Sequence, residues 1–267
     1  MPFAFQDDYK IYYEVREGKE PALVFVHGLC GSLSDWEGVT GAVPSHKILK
    51  LDLVGSGKSD APMIMYSIET FAKNLRAVIE ACGATENILV GHSMGCLVIL
   101  EYFRRFPTNV KGLVFIDGGG PTLSEEEFKA RIAAIDSDFE SFHMNFWDSM
   151  ILEDKINKSV RERHLDYWTK TSKEVLVPTY KSIFLWWRNR TAYDIARSVN
   201  VPVLIVYQSD TSNRGTFSNR DASYSAFAGS FRKSRLIVLN GTNGHFFMEE
   251  SPEILSQHLN DFLRDLK

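Results

Sequence analysis

Short apolar runs punctuate the chain, and between them the apolar positions fall three and four residues apart. The first pattern suits strands buried on both faces, and the second suits helices that cover them. Residues 3–16 alternate apolar and polar positions and predict two short strands at the start of the sheet. The runs Ala22–Val26, Lys47–Leu53, Ile88–Val90, Lys111–Asp117, Val201–Tyr207 and Ser234–Leu239 predict six more. Helices are expected around Ser34–Val43, over Ser67–Cys82 with Phe71, Leu75, Val78 and Ile79 on one face, and over Pro252–Leu266. Strands alternating with helices build a mainly parallel sheet covered on both faces. The fold class is therefore α/β, with an antiparallel leading edge.

Between Gly120 and about Asn200 the alternation lapses into helical stretches rich in charge and aromatic residues. An insertion after the strand ending at Asp117 lies over the carboxyl ends of the strands, where sheets of this kind place their sites. The expected organisation is a core of residues 1–119 and 195–267 with a helical cap of residues 120–194. Aromatic stripes on such helices serve packing more often than binding. As a set they still favour an apolar ligand, and Cys30, Phe146, Trp147, Trp186 and Phe246 are the expected pocket residues.

The chemistry concentrates in Gly91-His92-Ser93-Met94-Gly95, which joins a predicted strand to a predicted helix. A serine on so tight a turn is held in a strained backbone and lifts its hydroxyl clear of both elements, as a nucleophile requires. An oxyanion formed by its attack needs two backbone N–H donors. Met94, the residue after the serine, offers one. The loop His27-Gly28-Leu29-Cys30-Gly31 after an earlier strand offers the other at Leu29, with His27 orienting the loop. After the last strand, a glycine-rich loop carries His245, a general base placed downstream of Ser93.

With His27-Gly28, the run Asp52-Leu53-Val54-Gly55-Ser56-Gly57-Lys58-Ser59-Asp60, the Ser93 turn, and Gly244-His245 followed by Glu250 and Pro252, the chain resembles the α/β-hydrolase fold superfamily over residues 1 to about 119 and about 195 to 267. The resemblance implies that fold and a Ser-His-acid triad. It places the acid after the strand Val201–Tyr207, usually in a strand-G-x-x-D pattern, where this chain reads Gln208-Ser209-Asp210-Thr211. Asp210 lies one residue early. Some members put the acid after the preceding strand, which is Asp117 here. Asp210 is favoured over Asp117, with Asp221 third. A serine at position 93, in place of aspartate, argues against dehalogenase and epoxide hydrolase chemistry.

Composition narrows the function further. The 267 residues carry a net charge of −4 and 44% hydrophobic side chains, with acids and bases mixed throughout. Neither nucleic acid nor an anionic membrane is an expected partner. The start of the chain lacks a signal-peptide pattern and no apolar stretch is long enough to span a bilayer, so a cytoplasmic location is expected. Cys30, Cys82 and Cys96 form no C-x-x-C pair, and His143 and His164 lack partners at helical spacing, so neither a metal nor a cofactor is expected. Gly57-Lys58-Ser59 resembles the end of a phosphate loop, but Asp52 stands where Walker A requires glycine. The expectation is a carboxylesterase-like serine hydrolase for a small apolar ester, with a homodimer compatible with it. Lactone hydrolysis and carbon–carbon bond hydrolysis of ring-cleavage products use the same Ser–His pair. The latter needs cations for a substrate carboxylate, for which Arg188 and Arg190 are the candidates. A ligand-sensing protein on a hydrolase scaffold is the reading from a different class.

Overall fold

The computed structural model describes residues 3–43, 45–150, 157–209, 220–240 and 244–266. Within them, eight strands form one sheet in the order β1-β2-β4-β3-β5-β6-β7-β8. β1 (Phe3–Gln6) pairs antiparallel with β2 (Tyr9–Arg16), and β2 pairs antiparallel with β4 (His46–Leu51). From there β3 (Lys19–Val26), β5 (Asn87–His92), β6 (Val110–Ile116), β7 (Val203–Ser209) and β8 (Ser234–Asn240) run parallel. The expected antiparallel edge and parallel body are both present. Ala22–Val26 and Ile88–Val90 are fully buried, as central parallel strands covered on both faces require.

α2 (Ile68–Ala81) presents Phe71, Leu75, Val78 and Ile79 to the core, as its spacing predicts. Ser67 starts the helix by accepting the Thr70 N–H. The helix expected at Ser34–Val43 is instead a 3₁₀ turn over Leu33–Trp36 followed by the short α1 (Glu37–Gly41). Its reason is local: a Ser32–Asp35 capping box fixes the start, and Gly38 and Gly41 weaken helical continuation. α3 (Met94–Arg105) follows β5, and α11 (Pro252–Asp265) packs against α1. α9 (Arg220–Ala228) was not expected; only Tyr224, Phe227 and Ala228 are buried on it, too few to register as a period.

Between β6 and β7 lie α4 (Glu125–Ser137), α5 (Phe139–Met150), α6 (Lys158–Lys170), α7 (Lys173–Arg188) and α8 (Thr191–Ala196). Most of their aromatics pack on one another. His143 stacks on Trp168 at 4.5 Å, and its Nε2–H donates to the Trp168 carbonyl at 2.9 Å while Nδ1 accepts from the Tyr180 hydroxyl at 2.8 Å. α8 spans the expected boundary at residues 194 and 195 and packs against α3.

α6 is tied to the core by a buried polar cluster. His164 Nε2–H donates to Glu249, on α10 (Phe247–Glu250), and Arg163 pairs with the same carboxylate. Asp35 Oδ1 stands 4.0 Å from His164 Nε2 with no hydrogen-bond partner of its own. Burial pushes the Asp35 carboxyl up to about 7 from an ordinary 3.8. An acid raised in this way favours the fold at low pH, and that contribution is lost as pH climbs from about 4 through about 7. Asp35→Asn removes this titration. The melting temperature of the variant relative to wild type is expected to rise across that interval, and a difference that does not change with pH would contradict the assignment.

Candidate active site

Ser93 sits between β5 and α3 with φ 50° and ψ −115°, a region that L-residues avoid. Its neighbours make this possible. A Cβ on Gly95 would stand 2.4 Å from the Val26 carbonyl oxygen, and one on Gly91 would stand 2.5 Å from that of Gly95. Only glycine lets the turn lie this close to β3. The strained backbone is held by the Ser93 N–H bond to Ile116 at 2.9 Å and by the Cys96 N–H bond to the Ser93 carbonyl at 3.1 Å. Met94 opens α3, so its N–H lacks an acceptor within the helix.

The sheet register sets what stands beside the serine. His92 pairs with Ile116 and Ile116 with Val206, so Asp117, just past β6, emerges between the ends of β5 and β7. Asp117 also has positive φ, 49°. Its Oδ2 accepts from His245 Nδ1 at 2.6 Å, and its Oδ1 accepts from the Gln208 N–H at 3.1 Å and from Arg220. Burial alone would raise this carboxyl. The Arg220 charge and the His245 contact override it and hold the group well below the usual carboxylate range.

Of the three candidate acids, Asp117 is the one in contact with His245 among the described residues. Asp210 lies outside the described residues. Asp221 binds Tyr207 and Ser209, each at 3.0 Å, and the carboxylate on His245 belongs to Asp117.

Gly244 and His245 are each held by a contact from another part of the chain. His92 Nε2–H donates to the His245 carbonyl at 2.9 Å, and burial holds His92 neutral. Glu250 accepts the Gly244 N–H and the Asn157 N–H, both at 3.0 Å, which accounts for the glutamate in the Gly244-His245 motif. His27 does what its position suggests: Nδ1–H donates to Gly28 O at 2.7 Å and Nε2 accepts the Leu53 N–H at 3.0 Å, joining two loops.

Ser93, His245 and Asp117 line one cavity, together with Leu29 and Met94. Of the expected pocket residues, Phe146 and Phe246 line it. Trp147 does not; it is buried against Trp168 and Phe246. Trp186 opens instead onto a surface groove beside Ser67 and Arg104. Cys30 is buried in its loop and is not a wall of the cavity either. The apolar wall is completed by Leu97, Met150, Ile183 and Trp187, and Arg220 and Tyr224 of α9 close one side.

Asp35, His164 and Glu249 have donor atoms within 4.8 Å of one another and are the metal-ligand types that converge among the described residues. His164 Nε2 is already taken by Glu249, and Arg163 neutralises that carboxylate. Arg188 pairs with Glu125 at 3.5 Å, and Arg190 lies over Tyr193 at 4.8 Å; neither lines the cavity.

A doubly covered sheet with a strained serine turn, and a histidine and an acid delivered beside it from later strands, defines the α/β-hydrolase class. The chain belongs to that family: the model of the alpha/beta hydrolase fold matches residues 21–265. An uncharacterised protein of Mycobacterium tuberculosis is 30% identical over 106 residues, which cover 39% of this chain and 31% of that relative. The match thus spans about a third of the relative's length. Among solved structures, an esterase from Exiguobacterium antarcticum is similar with a TM-score of 0.80 and 20% identity, covering 98% of both chains. An enol-lactonase from Burkholderia xenovorans LB400 is similar with a TM-score of 0.80 and 18% identity, covering 98% of this chain and 100% of the other. At these identities the likeness is one of fold. No helix among the described residues is long and apolar enough to cross a membrane.

Proposed function

We propose that the protein is a serine hydrolase that cleaves esters with apolar acyl or aryl groups, with Ser93 as nucleophile, His245 as base, Asp117 as the triad acid and residues 120–194 as its cap. The observation that carries this reading is the 2.6 Å contact between Asp117 Oδ2 and His245 Nδ1 in the cavity that Ser93 enters. A carboxylate accepting at Nδ1 fixes the proton there and leaves the Nε2 lone pair free. Nε2 then takes the Ser93 proton as Oγ attacks the ester carbonyl. The Leu29 and Met94 N–H groups hold the oxyanion, and His245 returns the proton to the leaving alcohol. Water attacks the acyl-enzyme by the same route, releasing the acid and restoring Ser93.

The apolar wall supports an apolar substrate. The carbon–carbon hydrolase reading loses support, because Arg188 and Arg190 are engaged away from the cavity. A lactone is a cyclic ester and runs through the same steps, so it stays within the reading. The test is hydrolysis of p-nitrophenyl esters from acetate to decanoate beside labelling by a fluorophosphonate. Multiple turnovers with a preferred acyl length are expected. Labelling without turnover would favour a ligand sensor, and the absence of both labelling and turnover would overturn the assignment.

A further inference from the structure

Arg220 has no counterpart in the expected site, yet it makes some of the closest contacts there. It stands 103 residues from Asp117 in sequence and pairs with Asp117 Oδ1. Its Nε–H donates to the Gln208 carbonyl at 2.9 Å, and its guanidinium lies 5.2 Å from the Tyr224 ring centre. With the Gln208 N–H on the same Oδ1, the carboxylate is oriented so that Oδ2 is presented to His245. Guanidinium binding in this forked geometry is directional, unlike that of an ammonium.

The electrostatic consequence follows from what else faces the pair. His92 of β5, Cys96 of α3, Tyr207 of β7, Tyr224 of α9 and His164 of α6 all lie close enough to interact electrostatically with Asp117 or His245. Burial keeps each of them uncharged: it lowers the two imidazoles and raises the thiol and both phenols. Asp221 of α9 is engaged by Tyr207 and Ser209, and behind His164 stand Asp35 and the Glu249–Arg163 pair. Among the described residues, Arg220 is therefore the arginine or lysine paired with the acid.

We propose that Arg220 is a positioning residue whose guanidinium shares the Asp117 carboxylate with His245, so that its charge opposes that of the imidazolium across one acid. A carboxylate balanced by a cation attracts the imidazolium less, and removing the cation leaves the carboxylate to stabilise it alone. Its catalytic consequence rests on the serine-hydrolase reading, but the charge relationship can be measured without turnover.

The experiment is an NMR pH titration of the His245 ring, assigned by its loss in His245→Gln, in wild type, Arg220→Gln and Arg220→Lys. Glutamine removes the charge, and lysine keeps it without the fork. The His245 titration is expected to move up by about one pH unit in Arg220→Gln and to stay close to wild type in Arg220→Lys. The acid limb of kcat/KM for a p-nitrophenyl ester should move by the same amount. An unchanged titration in Arg220→Gln would overturn the proposal, as would equal shifts in both variants, which would mean that fork geometry and not charge is at work. Should Arg220→Gln fail to fold, Asp117→Asn is compared with the double variant Asp117→Asn/Arg220→Gln. The double variant is expected to titrate about one pH unit higher, and equal values would refute the proposal. A wild type that neither labels with fluorophosphonate nor hydrolyses esters would defeat the hydrolase reading alone.

Discussion

Ser93→Ala is expected to abolish fluorophosphonate labelling and to lower ester turnover by ~10⁶-fold, the scale on which loss of a serine nucleophile is felt when its base and oxyanion donors remain. Binding of the ester should survive, because the cavity wall formed by Leu97, Phe146, Ile183 and Phe246 is untouched. The fold should survive as well. Alanine at φ 50° bears the same backbone strain as serine, and the hydrogen bonds that hold the turn come from backbone atoms. Circular dichroism and the melting temperature would therefore match wild type. A folded variant that hydrolyses esters at the wild-type rate would remove Ser93 from the chemistry.

Asp117→Asn is expected to cost ~10⁴-fold in kcat with little change in KM. Two effects combine. The amide no longer compels Nδ1 of His245 to carry the proton, so Nε2 loses its role as acceptor in part of the population. The charge that stabilises the imidazolium in the transition state is also gone. Stability should fall too, since Arg220 and the Gln208 N–H both lose an ionised acceptor. Assays are accordingly made well below the melting temperature of the variant. Asp210→Asn is the matched comparison. A loss there as large as that of Asp117→Asn would return the acid to Asp210.

Much of this was legible in the chain. The strands were visible because a central parallel strand must be apolar on both faces, and the serine turn because three residues in sequence specify it. His245 followed from chain order. The acid was harder, because a local pattern such as strand-G-x-x-D describes spacing along one strand. Asp117 reaches His245 through the register of β6 between β5 and β7, which no single segment encodes. Arg220 gave no signal, being one arginine among 30 basic residues at the start of a weakly patterned helix.

Of the expected pocket aromatics, Phe146 and Phe246 line the cavity and the two tryptophans do not. Trp147 and Trp186 are each one residue from a true wall residue, Phe146 and Trp187. One residue on an α-helix is a rotation of about 100°. Composition identifies such a helix as aromatic, but only its docking decides which ring faces the ligand.

The contact between His92 and the His245 carbonyl joins parts of the chain 153 residues apart, and that between Asp117 and His245 spans 128. Neither exists until the sheet from β5 to β8 has closed. During synthesis, an emerging chain that already displays its serine turn therefore holds an ordinary alcohol. On the proposed chemistry its nucleophilic power arrives only with the last strand and its loop, so a half-made molecule is spared acylation.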